Sequence, residues 1–191
     1  LQMEAKELLR EEKQELLKKL PESHQVFFKW FLALTEVHRP SFELDGAIKT
    51  CIEWAKKLGA DVKQDEAGNI LLSIPASKGH ENVKPLCVQG HLDIVAVGKF
   101  DKNGEVFLKL ENGNLTSGIS TIGADDGIAD AYALALLEDP EAVHPRLEVI
   151  FTCDEEVGMD GAAALDMSDI EGKMLINIDS EDEGIMTVGC A

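Results

Sequence analysis

The chain has 191 residues, 45% of them hydrophobic, which is enough for one substantial core and not for two independent ones. Its 36 acidic and 18 basic residues leave a formal net charge of -18, a balance that repels phosphate backbones and anionic lipid headgroups. Nucleic acid and membrane surfaces are therefore not expected as partners, and most of the carboxylates are read as solubilising surface.

Residues 1–20 read as one charged amphipathic helix with Leu8, Leu9, Leu16, Leu17 and Leu20 near one face, closed by Pro21. The segment is too charged for a signal peptide, and no apolar run approaches the roughly 18 residues of a membrane span. A second helix is expected from Ser23, its stripe Phe27, Phe28, Trp30, Phe31 and Leu34 being core packing. Ser41 is a plausible N-cap for a third helix running to Lys57, with Gly59 as its stop. Short strands follow at 61–64 and 69–74 around the turn Glu66-Ala67-Gly68, and an apolar run Leu86-Cys87-Val88 ends abruptly at Gly90.

Asn112-Gly113 marks a hairpin between 106–110 and 115–119. Residues 128–137 read as a helix, 147–153 as a buried strand, 158–165 as a small-residue helix and 174–178 as a further strand. Helices alternating with short buried strands give the expected fold class, an α/β three-layer sandwich with a mixed, mostly parallel sheet and helices on both faces. No linker divides the chain, and its last residues follow a strand-like run directly, so an incomplete domain is expected. Cys51, Cys87, Cys153 and Cys190 form no CxxC pair, which fits free thiols and a cytoplasmic setting. The sequon Asn114-Leu115-Thr116 is then accidental.

The polar residues fall in a pattern. In open α/β sheets ligands bind beyond the carboxyl ends of the strands. Here one apolar run leads to His91 and Asp93, another to Asp154, Glu155 and Glu156, and a third to Asp179, while Asp125 and Asp126 precede a helix. One acid after a strand is usually a solvated loop, and a lone histidine is usually structural. Four such groups at one end of a sheet would repel one another unless protons or cations intervene, which points to a metal site. One imidazole among carboxylates suits zinc, with manganese or cobalt as alternatives. A calcium loop at 179–190 fails because Cys190 occupies the position where an EF-hand needs Glu. No GxGxxG, P-loop or G-x-S-x-G is present.

Together, Gly90-His91-Leu92-Asp93, Gly123-Ala124-Asp125-Asp126-Gly127-Ile128, Asp154-Glu155-Glu156-Val157-Gly158-Met159-Asp160-Gly161 and Asn177-Ile178-Asp179-Ser180-Glu181 closely resemble the co-catalytic dizinc peptidases. The nearest branch is that of the cytosolic non-specific, or aminoacyl-histidine, dipeptidases. His38-Arg39-Pro40-Ser41, Gly68-Asn69-Ile70-Leu71 and 144–149 support the resemblance, which runs from about Phe28 to the last residue.

What the resemblance implies is a division into an additional N-terminal helix, 1–22, and the N-terminal part of a catalytic domain, 23–191. It further implies two zinc ions, with His91 and Asp179 on the first, Asp125 bridging and Glu156 on the second. Asp93 would orient His91, and Glu155 would be the general base that takes a proton from water and returns it to the leaving amine. The implied substrate is a dipeptide, of Xaa-His type or non-specific, and a full-length form would be a homodimer. The family's second zinc also takes a distant histidine, and its lid domain supplies substrate contacts; neither has a counterpart here, so impaired activity is expected. The stretch 98–119 is also shorter than in relatives. Two other readings use the same residues: a non-catalytic remnant of the fold, and an N-acyl amino acid deacylase.

Overall fold

The computed structural model describes residues 2–180 and 184–189. Glu181 of the fourth motif, residues 182–183 of the rejected calcium loop and Cys190 lie outside the described residues.

The central sheet has five strands in the order β1-β2-β6-β3-β7. They are β1 (Asp61–Gln64), β2 (Ile70–Ile74), β3 (Leu86–His91), β6 (Leu147–Thr152) and β7 (Met174–Asn177); β4 (Lys109–Glu111) and β5 (Asn114–Thr116) form a separate hairpin. β1 pairs β2, and β2 pairs β6, antiparallel, while β6–β3 and β3–β7 are parallel. The sheet is thus mixed, with its parallel half made of the three strands that the metal-competent residues follow. In the hairpin Asn112 and Gly113 both have positive φ, the backbone twist a two-residue turn needs.

Side-chain alternation sorts β6 into two faces. Val149 and Phe151 join Ile70 and Leu72 in the main core beneath α3 (Gln25–Leu34), α4 (Asp45–Lys57) and α5 (Ala124–Glu138). Ile150 points the other way, to a small cluster with Cys87 and Ile170, which Leu71 and Leu165 flank. Trp30 of α3 meets Trp54 of α4 edge-on at 5.4 Å between ring centroids. Cys51, Cys87 and Cys153 are buried free thiols. Among the described residues no helix is long and apolar enough to cross a membrane.

Two local expectations are corrected. The segment 1–20 is two short helices, α1 (Ala5–Leu8) and α2 (Glu11–Leu17), with Leu9 and Arg10 extended between them. The break is tertiary in origin: the Arg10 N–H and guanidinium both reach Glu36, and the guanidinium also pairs with Asp101 and Glu105. Met3, Leu9, Leu16, Leu17 and Leu20 nonetheless enter the main core. Ser41 does not cap the third helix, which begins after Leu44 without a side-chain cap; its hydroxyl is used at the site below.

Candidate metal centre

Three parallel strands and one helix start converge at one end of the sheet. β3 delivers His91 opposite Thr152 of β6, so the loop after β6 begins beside the imidazole. Asp179 follows β7 on the other side of β3. α5 supplies Asp125, where the backbone leaves helical geometry at Asp125 and Asp126 before the regular helix continues.

The convergence is tight. His91 Nε2 lies 3.0 Å from Asp125 Oδ1, 3.8 Å from Glu155 Oε2 and 3.9 Å from Asp179 Oδ2. His91, Asp125 and Asp179 offer ligand atoms within 4.8 Å of one another, and so do His91, Glu155 and Glu156. The imidazole is buried, whereas the Asp125 side chain is 68% exposed and opens the site to solvent.

Asp93 is fully buried and works as a hub. Its carboxylate accepts hydrogen bonds from Ser41 Oγ at 2.7 Å, the Glu155 N–H at 2.9 Å and the Glu156 N–H at 3.2 Å. His91 Nδ1 lies 2.9 Å from the Asp93 main-chain carbonyl and 3.5 Å from its Oδ1. The ring is therefore held first by the backbone oxygen, and the carboxylate mainly positions the Glu155-Glu156 loop. Burial raises the Asp93 carboxyl, but the His91 contact and these donors outweigh it and hold the group down at about 2.

The field at the site is set by its carboxylates. Burial pulls His91 toward its neutral form, yet the surrounding carboxylates, Asp93 first, outweigh it and raise the ring to about 10. Glu156 is raised by burial and by repulsion from Asp125 and Glu155. Burial and the Asp179 charge push Asp126 up to about 7 against the pull of His91. A field strong enough to keep a proton on a buried imidazole is one in which a divalent ion can replace that proton, and nitrogen with carboxylate oxygens is a donor set zinc takes. The residues present fit such an ion.

The six residues expected at the site lie together at one end of the sheet, and they are backed by groups the sequence did not single out. Arg39 is buried and donates to the carbonyls of Leu92, at 2.8 Å, and Gly123, at 2.7 Å. Asp130, one turn into α5, is fully buried, and neither of its oxygens accepts a hydrogen bond from a described residue. An available signal was the pair of glycines flanking Asp125: a Cβ on Gly123 or Gly127 would meet Arg39 Nη2 at 2.7 or 2.5 Å.

Comparison with known proteins follows this geometry. No family model matches the chain. The cytosol non-specific dipeptidase of Escherichia coli is 38% identical over 175 residues, covering 88% of this chain and 36% of that protein. The chain is a homologue of that dipeptidase. Among solved structures, the aminoacylhistidine dipeptidase of Vibrio alginolyticus superposes with a TM-score of 0.81 at 32% identity, covering 88% of this chain and 35% of that one. The aminopeptidase PepT of Bacillus cereus matches with a TM-score of 0.71 at 25% identity, covering 83% and 44%. The dipeptidase homology therefore spans about a third of the length of the relatives named for that activity, and the α/β architecture described above is a partial domain of theirs.

Proposed function

We propose that the chain is the metal-holding part of a metallopeptidase that hydrolyses dipeptides, of Xaa-His type or non-specific. The observation that carries this is the meeting of His91 Nε2 with carboxylates from three separate loops, within 3.0 to 3.9 Å. Two zinc ions are the proposed cofactors, with manganese or cobalt as substitutes. His91 and Asp179 would hold the first ion, Asp125 would serve both, and Glu156 would hold the second. When bound, such ions polarise a carbonyl and acidify water.

The chain's own residues do the rest. Glu155 sits at the half-open rim with its amide fixed on Asp93, placed to accept a proton from water and pass it to the leaving amine. Asp93 holds that loop and the imidazole in one register. Residues 23–191 are the N-terminal part of a catalytic domain, with 1–22 added to it. Among the described residues this reading gives the second ion Asp125 and Glu156, so weak binding there and slow turnover are expected. A longer form acts as a homodimer in the cytoplasm; the first of these inferences follows the resemblance and the second the E. coli relative's name.

Zinc uptake by equilibrium dialysis, followed by release of free amino acids from a dipeptide at high protein concentration, tests this. The parent chain is expected to bind zinc and cleave slowly. His91→Ala should lose most of the affinity, and Glu155→Gln should keep the metal while hydrolysis drops about 10²–10⁴-fold. Zinc binding by His91→Ala equal to the parent's would refute the ligand set. Two tightly held equivalents with rapid turnover would refute the impairment.

A further inference from the structure

Arg39 belongs to neither group of metal-competent side chains, yet it touches two of the three segments that build the first of them, those of His91 and Asp125. Leu92, whose carbonyl it holds, lies between His91 and Asp93; Gly123, whose carbonyl it also holds, lies two residues before Asp125. The main chain repeats the connection, since the Ile94 N–H donates to the Arg39 carbonyl at 3.0 Å and Pro40 bridges Ile94 in parallel register. A planar guanidinium can serve two acceptors at a fixed angle, which an ammonium cannot. The spacing between the loops is therefore set by the width of one side chain.

A buried guanidinium needs a countercharge. Of the carboxylates around Arg39, Asp130 acts on it most strongly, ahead of Asp126 and Asp93, although burial pushes the Asp130 carboxyl itself well above the ordinary range. Asp130 is carried on α5, the helix whose first turn holds Asp125. Its carboxyl lies where a Cβ on Gly90 would come within 2.6 Å of Oδ1, directly beneath the strand that delivers His91.

We propose that Arg39 is a positioning residue of the metal centre, its guanidinium clamping the His91 and Asp125 loops at ligand spacing. The proposal rests on the metal-centre reading above. It concerns the position of Asp125 relative to His91, which meet at 3.0 Å across the clamp.

The test is zinc affinity of the full chain, read by competition with a chromophoric chelator, alongside the melting temperature and amide hydrogen exchange over 90–95 and 123–127. Removing both polar groups in Arg39→Met/Asp130→Leu keeps an apolar filling, so the variant is expected to melt within a few degrees of the parent. Its zinc affinity should nevertheless fall about tenfold or more, as loss of a supporting contact behind a metal ligand does. Exchange should accelerate in both loops. Arg39→Lys retains the charge and is the second variant should the first fail to fold; it too should bind zinc about tenfold more weakly, one point charge being unable to hold both carbonyls. Affinity within threefold of the parent in a folded variant overturns the clamp and leaves Arg39 structural. A parent chain that binds no zinc overturns the metal-centre reading, and the clamp with it.

Discussion

Two buried charge clusters flank the core, and they are built on opposite terms. At Glu138 every demand is met: its carboxylate accepts from Lys29 Nζ at 2.6 and 2.7 Å, from Trp30 Nε1 at 2.6 Å and from the Met3 N–H at 2.8 Å. Lys29 also donates to the Met3 carbonyl. Near the metal centre, Asp130 and one oxygen of Asp126 are buried with no hydrogen-bond partner among the described residues. A saturated cluster ties a chain segment down, here the N-terminus onto α3 and α5. An unsaturated one keeps strong local fields, and it lies where the α5 helix meets the loops that carry His91 and Glu155. Charge burial in this molecule has two uses, and the two clusters differ in hydrogen-bond completeness.

The comparison can be broken hardest at the saturated cluster. Glu138→Ala strands Lys29, the Trp30 indole and the Met3 amide together, and is expected to cost about 3–5 kcal/mol in urea denaturation. Zinc affinity measured on the folded fraction should not change. A parallel loss of zinc binding would join the two clusters into one unit.

Lys13 is a further unsaturated buried charge, outside both clusters, so incompleteness alone does not mark the site. Its ammonium is buried without a hydrogen-bond partner, and burial pulls it from 10.5 to about 8 despite Glu36 nearby. Between those values the unfolded chain holds the proton and the folded chain does not, so stability rises with pH from about 8 toward 10.5, by up to ~3 kcal/mol. Lys13→Met should abolish that rise and raise stability at neutral pH. A pH profile unchanged in the variant would assign the slope elsewhere.

Asp93 has the opposite sign. Its folded value near 2 lies below the ordinary 3.8, so its contribution of about 2 kcal/mol is present above 3.8 and is lost as pH falls toward 2. Asp93→Asn should flatten acid unfolding of the metal-free chain over that window. The smallest effect is expected from Ser41→Ala, about 1 kcal/mol from one hydrogen bond to Asp93, read as a small shift of the urea midpoint.

The three parallel strands and the proposed cluster around His91 were legible because each of those apolar runs leads directly to a metal-competent residue, a pattern written in local order. β1 falls on the expected residues, and β6 and β7 stop one residue before the expected ends. Ser41 was misread because a capping serine and a serine reaching 52 positions along the chain look alike in sequence. The break at Arg10 was invisible for the same reason, being decided by Glu36, Asp101 and Glu105 rather than by helix propensity. Arg39 stood inside a motif that drew notice only as a likeness, and its reach to Leu92 and Gly123 depends on tertiary distance. Asp130 was hidden in an Ala/Leu-rich helix, where a single acid reads as an exposed face.

The crowding of Arg39 against Gly127 has a consequence for how this sequence can change. Gly127 carries no positive-φ demand, so the obstacle to alanine there is the guanidinium 2.5 Å from the new methyl. Gly127→Ala should be harmful in the parent and tolerated once position 39 is shortened, and the two sites can be crossed only in that order. Gly123 differs, because its φ of 65° resists a side chain whatever stands opposite. Of the two glycines that bracket the aspartates, one is a property of the turn and the other is a shadow cast by the arginine.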